Sequence, residues 1–151
     1  MTIAVNFATV ADSISKLSIS GITMRDIDQV PDSAQMLCPI MFPQPDNFIT
    51  NINVERVTVG SGGTAKMDMT YTLNYVFLQA EMGAGISAFS MYSNIVSNLA
   101  AILVKMFASD NITGAVDLTL NSIGEIGTIS DPSGNQYWGV LLSFNILEFV
   151  Q

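Results

Sequence analysis

SAFSMYSNIVSNLAAILVKMF, residues 87–107, is the only long segment of the 151-residue chain with helical periodicity. Apolar side chains at Ala88, Tyr92, Ile95, Val96, Leu99, Ile102, Leu103 and Met106 recur at the i, i+3, i+4, i+7 spacing of a helix that buries one stripe. The opposite face, Ala84, Ser87, Ser90, Asn94, Ser97, Asn98 and Ala101, is small and nearly uncharged. A helix facing water usually carries Lys and Glu there. The pattern therefore predicts that Ser90, Asn94, Ser97 and Ala101 are at least partly covered, by the N-terminal segment or by a neighbouring subunit. Strand-like runs lie on both sides, so the helix reads as the central packing element of an α+β fold. The expected architecture is an antiparallel β-sheet with this one long helix and a short N-terminal helix packed on one face.

The strands follow from alternation. In KMDMTYTLNYVFL (66–78), Met67, Met69, Tyr71, Leu73, Tyr75 and Phe77 alternate with Asp68, Thr70, Thr72 and Asn74. INVERVTV (52–59) is rich in β-branched residues and pairs with it as an antiparallel hairpin across GSGGT (60–64). Residues 115–129 and 136–150 form a second hairpin, turned by SDPSGN (130–135). Its second arm sends Trp138, Val140, Leu142, Phe144 and Ile146 to one face. Tyr137, Gly139, Leu141, Ser143 and Asn145 make the other, read as solvated or oligomer-facing. Gly124 and Gly127 are expected to bend or bulge the first arm. Both arms exceed the usual strand length. The tip, Asp131, Pro132, Ser133, Gly134 and Asn135, is thus expected to project and to meet a neighbour.

Upstream, residues 6–18 predict a short helix capped by Asn6, with Phe7, Val10, Ala11, Ile14 and Leu17 on one side. Residues 19–27 read as a short strand or extended arm. QMLCPIMFPQP (35–45) carries three prolines, which remove backbone donors. It reads as an extended segment or edge strand across an apolar surface, a neighbouring subunit's included. Residues 1–151 form one domain on this reading, with 19–50 as an arm.

Composition narrows the function. The chain is 49% hydrophobic and 12% charged, against about 25% charged in ordinary soluble domains. Its longest aliphatic run, 99–104, is far short of the roughly 20 residues of a membrane span. No membrane partner is expected, and the surplus apolarity belongs in the core or in permanent interfaces. The N-terminus lacks the basic and apolar runs of a leader peptide. Net charge is −8, and Lys16, Arg25, Arg56, Lys66 and Lys105 are too scattered to grip a phosphate backbone. A surface along which DNA passes without sticking suits the same charge. The absence of histidine removes the commonest general base and transition-metal ligand. Cys38 stands alone, so no intrachain disulfide forms, and it reads as a small buried hydrophobe. GSGGT lacks the Gly-Lys-Ser/Thr ending of a phosphate loop. Asp26, Asp28 and Asp32 lack the spacing of a calcium loop. No catalytic residue, cofactor or metal is expected.

Five stretches in order carry a resemblance: ISGITMRDIDQVPDS; LCPIMFPQPDNF; the hairpin ending in MDMTYTLNYVFLQAEMGAG; the long helix; and GAVDLTLNSIGEIGTISDPSGNQYWGVLLSFNILEFV. Over about residues 19–150 this resembles the tail-terminator (tail-completion) and related neck proteins of long-tailed bacteriophages, in order, length and texture. The resemblance implies a homo-oligomeric ring, commonly a hexamer, in the virion tail or neck, assembled in the host cytoplasm. It implies a tail-tube protein on one side and a neck or connector protein on the other, with DNA only as transiting cargo. It brings no catalytic residues. A head-to-tail stopper or a tail-tube subunit stays open beside it. So does a small-ligand-binding or enzymatic α+β domain, for which Asp117, Glu125, Tyr137 and Glu148 lie near strands.

Overall fold

The structure, a computed structural model, describes residues 7–31, 37–59, 65–83, 88–108 and 117–150. The predicted Asn6 cap, the GSGGT turn, Asp32, Ala84 and Ser87 lie outside them. The elements in order are α1 (Phe7–Ser15), β1 (Thr23–Met24), β2 (Ile40–Pro43), β3 (Ile49–Val59), β4 (Ala65–Glu81), α2 (Ala88–Phe107), β5 (Asp117–Ile123), β6 (Gly127–Ser130) and β7 (Gln136–Val150).

The two longest strands form the axis. β4 and β7 pair antiparallel from Met67–Val150 to Glu81–Tyr137. The free side of β4 is shared by β3 and β2, and that of β7 by β5 and β6. Among the described residues, every strand pairing is antiparallel except a two-residue parallel contact between β1 and β2. The fold is α+β with a seven-stranded mixed sheet.

Alternation decides which side chains meet. Tyr71, Leu73, Tyr75 and Phe77 lie opposite Ile146, Phe144, Leu142 and Val140, and all eight are buried. They join Val10, Ala11 and Ile14 of α1 and Ile95, Leu99, Ile102 and Met106 of α2 in one core, so both helices cover the same face. Tyr75 is held edge-on between Phe48 and Phe144, with ring centroids 5.6 and 6.0 Å away. Burying each such side chain contributes about 1.5–3 kcal/mol.

A second, smaller core lies on the opposite face. Ile40, Phe42, Val76, Leu78 and Tyr137 are buried there beneath Val30, Leu37, Cys38 and Ile129. This corrects two expectations. Tyr137 and Gly139 are not on a solvated face. The proline-rich segment is not an edge strand reaching for a neighbour: β2 lies inside its own sheet, between β1 and β4. The prolines permit this because they fall at its boundaries. Pro39 precedes the strand and accepts from the Thr23 amide, and Pro43 ends it.

Two further boundaries differ from the sequence reading. Residues 115–129 are not one strand; β5 and β6 are separated at 124–126, where the Gly124 amide donates to the Leu141 carbonyl at 2.8 Å. β3 starts at Ile49 and is bulged between Thr50 and Asn53, with Asn51 at φ 56°. Asparagine tolerates that left-handed conformation better than most residues.

Candidate functional site

α2 turns on its axis relative to the sequence reading. Met91, Ile95, Leu99, Ile102 and Met106 face the core. The helix has apolar residues around more than half its circumference, and a stripe about 100° wide must leave some outside. The residues left out form a flank: Phe89 (82% exposed), Tyr92 (45%), Val96 (57%), Val104 (70%) and Phe107 (45%). Ala100 and half-buried Leu103 lie between them, and none of the seven carries a charge. Tyr92 reaches the Trp138 ring, centroid to centroid 6.1 Å, so the flank borders β7. Leu120 and Ile123 of β5 are also exposed on this face of the sheet, opposite the core residues Phe144 and Leu142.

The small polar flank behaves differently. Ser90, Asn94 and Ser97 face outward and Ala101 is half-buried, so within the described chain the first three are uncovered. Asn98 ties this side to the sheet, its Nδ2 donating to Gln79 Oε1 at 2.7 Å. The sequence reading placed Tyr92 and Val96 in the core and left Phe89, Val104 and Phe107 uncounted. A second 3.6-residue stripe beside the first was the available signal.

The opposite face of the sheet has two regions. An open groove of about 540 Å³ runs between the β2–β3 bend and the β6–β7 turn. Phe42, Val76, Ile129 and Leu141 line it, with Asp46 and Pro132 at its rim. Further along, amides and hydroxyls bind one another across four strands. Thr72 Oγ1 donates to Asn145 Oδ1 (3.0 Å), Asn145 Nδ2 to Asn121 Oδ1 (3.2 Å), and Asn121 Nδ2 to Ser143 Oγ (3.0 Å). Asn74 Nδ2 donates to Thr50 Oγ1 at 2.9 Å. These groups satisfy each other without formal charge.

The β6–β7 tip is built around Asp131, which does not project. The residue is 5% exposed. Oδ1 accepts from the Ser133 amide (3.0 Å), the Ser133 hydroxyl (2.7 Å) and the Asn135 amide (3.0 Å), and Oδ2 from the Tyr137 hydroxyl (3.0 Å). Gly134, at φ 92°, closes the turn by donating to the Asp131 carbonyl. Asp131 is therefore internal scaffolding of the turn, and its side chain does not project as the sequence reading expects. Pro132, Ser133 and Gly134 are exposed and Asn135 is half-buried.

The ionisable groups are dispersed. Lys16 Nζ pairs with Asp12 at 2.9 Å, Arg25 donates to the Met24 carbonyl, and Lys105 sits in the last turn of α2. Tyr137 and Glu148, two of the four residues considered for an enzymatic reading, fall on opposite faces of β7 and do not converge. Among the described residues, no group of three or more Cys, Asp or Glu could hold a metal ion. Burial, and then the Glu148 carboxylate, keep the Tyr71 hydroxyl protonated, and burial does the same for Tyr75.

Burial, aided by the Asp131 and Glu81 charges, pushes the Cys38 thiol up to about 11 from an ordinary 9.0. At pH 8 Cys38 is expected to react with a disulfide reagent roughly a hundredfold more slowly in the native chain than in urea, because only the thiolate reacts. Stopped-flow absorbance checks this. The raised value also gives a sign for stability: this group's contribution is complete below about pH 9 and is lost as pH climbs toward 11.

No family model matches the chain, and no curated protein matches it.

Proposed function

We propose that the chain is a virion structural protein that forms a homo-oligomeric ring at the head-proximal end of a phage tail tube. The ring ends tube growth, joins the tail to the head connector and lets DNA pass through its lumen. The observation that carries this reading is the bare, uncharged apolar flank of α2. An apolar patch of this size commonly marks an interaction site, and a permanent assembly buries it. The transit of DNA is supported by a net charge of −8 with only five cations and by the self-satisfied amide and hydroxyl groups on the other sheet face. A phosphate backbone finds few counter-charges to hold it.

Mass photometry and negative-stain images of the purified protein test the reading. Closed rings of one mass, about six protomers, are expected. Added to polymerising tail-tube protein, the rings are expected to cap the tubes and shorten them. Long tubes formed by the protein itself would favour a tube subunit, and a stable monomer would overturn both.

A further inference from the structure

We propose that the apolar flank of α2 seats in the Phe42–Leu141 groove of a second copy of this chain, with Phe89 as the inserted side chain. The inference rests on the ring reading and names its contact.

The two surfaces are complementary in shape and chemistry. The flank is a ridge, and its most exposed large side chain is Phe89. The groove is concave; exposed Leu141 and half-buried Ile129 supply its accessible apolar surface, above the buried side chains of Phe42 and Val76. The flank carries no formal charge, and of the two aspartates that line the groove Asp131 is already held by four internal donors while exposed Asp46 stays at the rim in water.

Their placement gives the symmetry. The flank belongs to the helix-covered face of the sheet and the groove to the opposite face. One copy cannot fill its own groove with its own helix. A ridge-to-groove contact is head-to-tail, so each copy keeps one ridge and one groove available until the rotation closes a ring. Ridge against ridge would instead be two-fold and would stop at a dimer.

The area is of the right order. Large aromatic side chains bury about 150–250 Å² each. At their observed exposures, Phe89, Tyr92, Val96, Val104 and Phe107 together present on the order of 500 Å², against about 800 Å² per partner in a standard stable interface. Ser93 and Ala100, exposed between them, supply close backbone approach and part of the remainder.

Cysteine crosslinking in the full chain tests the proposal, in a Cys38→Ser background. Phe89→Cys and Leu141→Cys variants are mixed, allowed to exchange subunits, and treated with a short bismaleimide. The expected product joins one Phe89→Cys chain to one Leu141→Cys chain. A chain carrying both substitutions gives a ladder that ends at the ring's own number. Phe89→Cys chains joined mainly to each other would overturn the proposal. So would rings that form without any crosslink, in which case the ring reading stands alone. Protein that stays monomeric defeats both.

Two charge insertions provide a second readout. Val96→Asp, on the apolar flank, is expected to reduce the ring population at least tenfold, with the monomer's circular-dichroism spectrum unchanged. Ser97→Asp, on the small polar flank, is expected to leave rings intact. The reverse pattern would place the interface on Ser90, Asn94 and Ser97 and remove it from the apolar flank.

Discussion

Replacing Gly139 by alanine is expected to lower the stability of the fold by about 3 kcal/mol, near the top of the range for overpacking a core. Gly139 is buried and has strand partners on both sides, Leu78 of β4 and Gly127 of β6. A Cβ built there collides with the Phe77 carbonyl oxygen and comes within 2.9 Å of Leu78 Cδ2 and 3.3 Å of Ile129 Cδ1. The Leu78 and Ile129 side chains can shift, but the carbonyl belongs to the β4–β7 ladder. Moving it disturbs pairing next to the bulge between Leu78 and Ala80. Urea unfolding is expected to show a lower midpoint with an unchanged slope. Gly127→Ala is the control, because nothing lies within 4 Å of its added Cβ. Its cost is expected to be under about 0.5 kcal/mol, the usual range for a benign surface change. Equal midpoints for the two variants would mean that β4 yields at Phe77 with little resistance.

The same strand shows what the sequence discloses and what it conceals. Alternation from Tyr71 to Phe77 and from Val140 to Ile146 marked the main core correctly, because those residues are opposite one another and face one helix layer. Tyr137 continues the alternation on the other face, where the pattern predicts solvent or a neighbouring subunit. It is buried because Val30, Leu37, Cys38 and Ile129 pack against its cluster, and local periodicity does not record such cover. The number of prolines in 35–45 argues against an inner strand, but their register matters more: three residues between Pro39 and Pro43 are enough for a buried strand. For α2 the element was legible and its rotation was not. Two adjacent apolar stripes compete for one core, and the sheet selects the one that contains Met91. The stripe that loses is the candidate interface, visible only by subtraction once the core is known.

Asp131→Ala is expected to cost about 3 kcal/mol, the magnitude seen when a buried, hydrogen-bonded charge is removed from its donors. DPSG predicted the turn, but not that its aspartate points inward. Four donors converge on that carboxylate: two backbone amides, the Ser133 hydroxyl and the Tyr137 hydroxyl six residues on. Water can replace the acceptor at exposed Ser133, so that part of the loss is small. Tyr137 is fully buried and no water replaces the acceptor there without opening the second core. Losing the acceptor of a buried hydroxyl costs roughly 1–3 kcal/mol. Asp131→Asn separates geometry from charge. Its Oδ1 still accepts from the turn and its amide can donate to the Tyr137 oxygen, so about 1 kcal/mol is expected, the difference between charged and neutral hydrogen bonds. Urea midpoints of the two variants, taken with ring mass, distinguish scaffold from contact. A scaffold residue loses stability in the order Ala then Asn, while the folded fraction still assembles. A contact residue would leave the midpoint in place and abolish the ring.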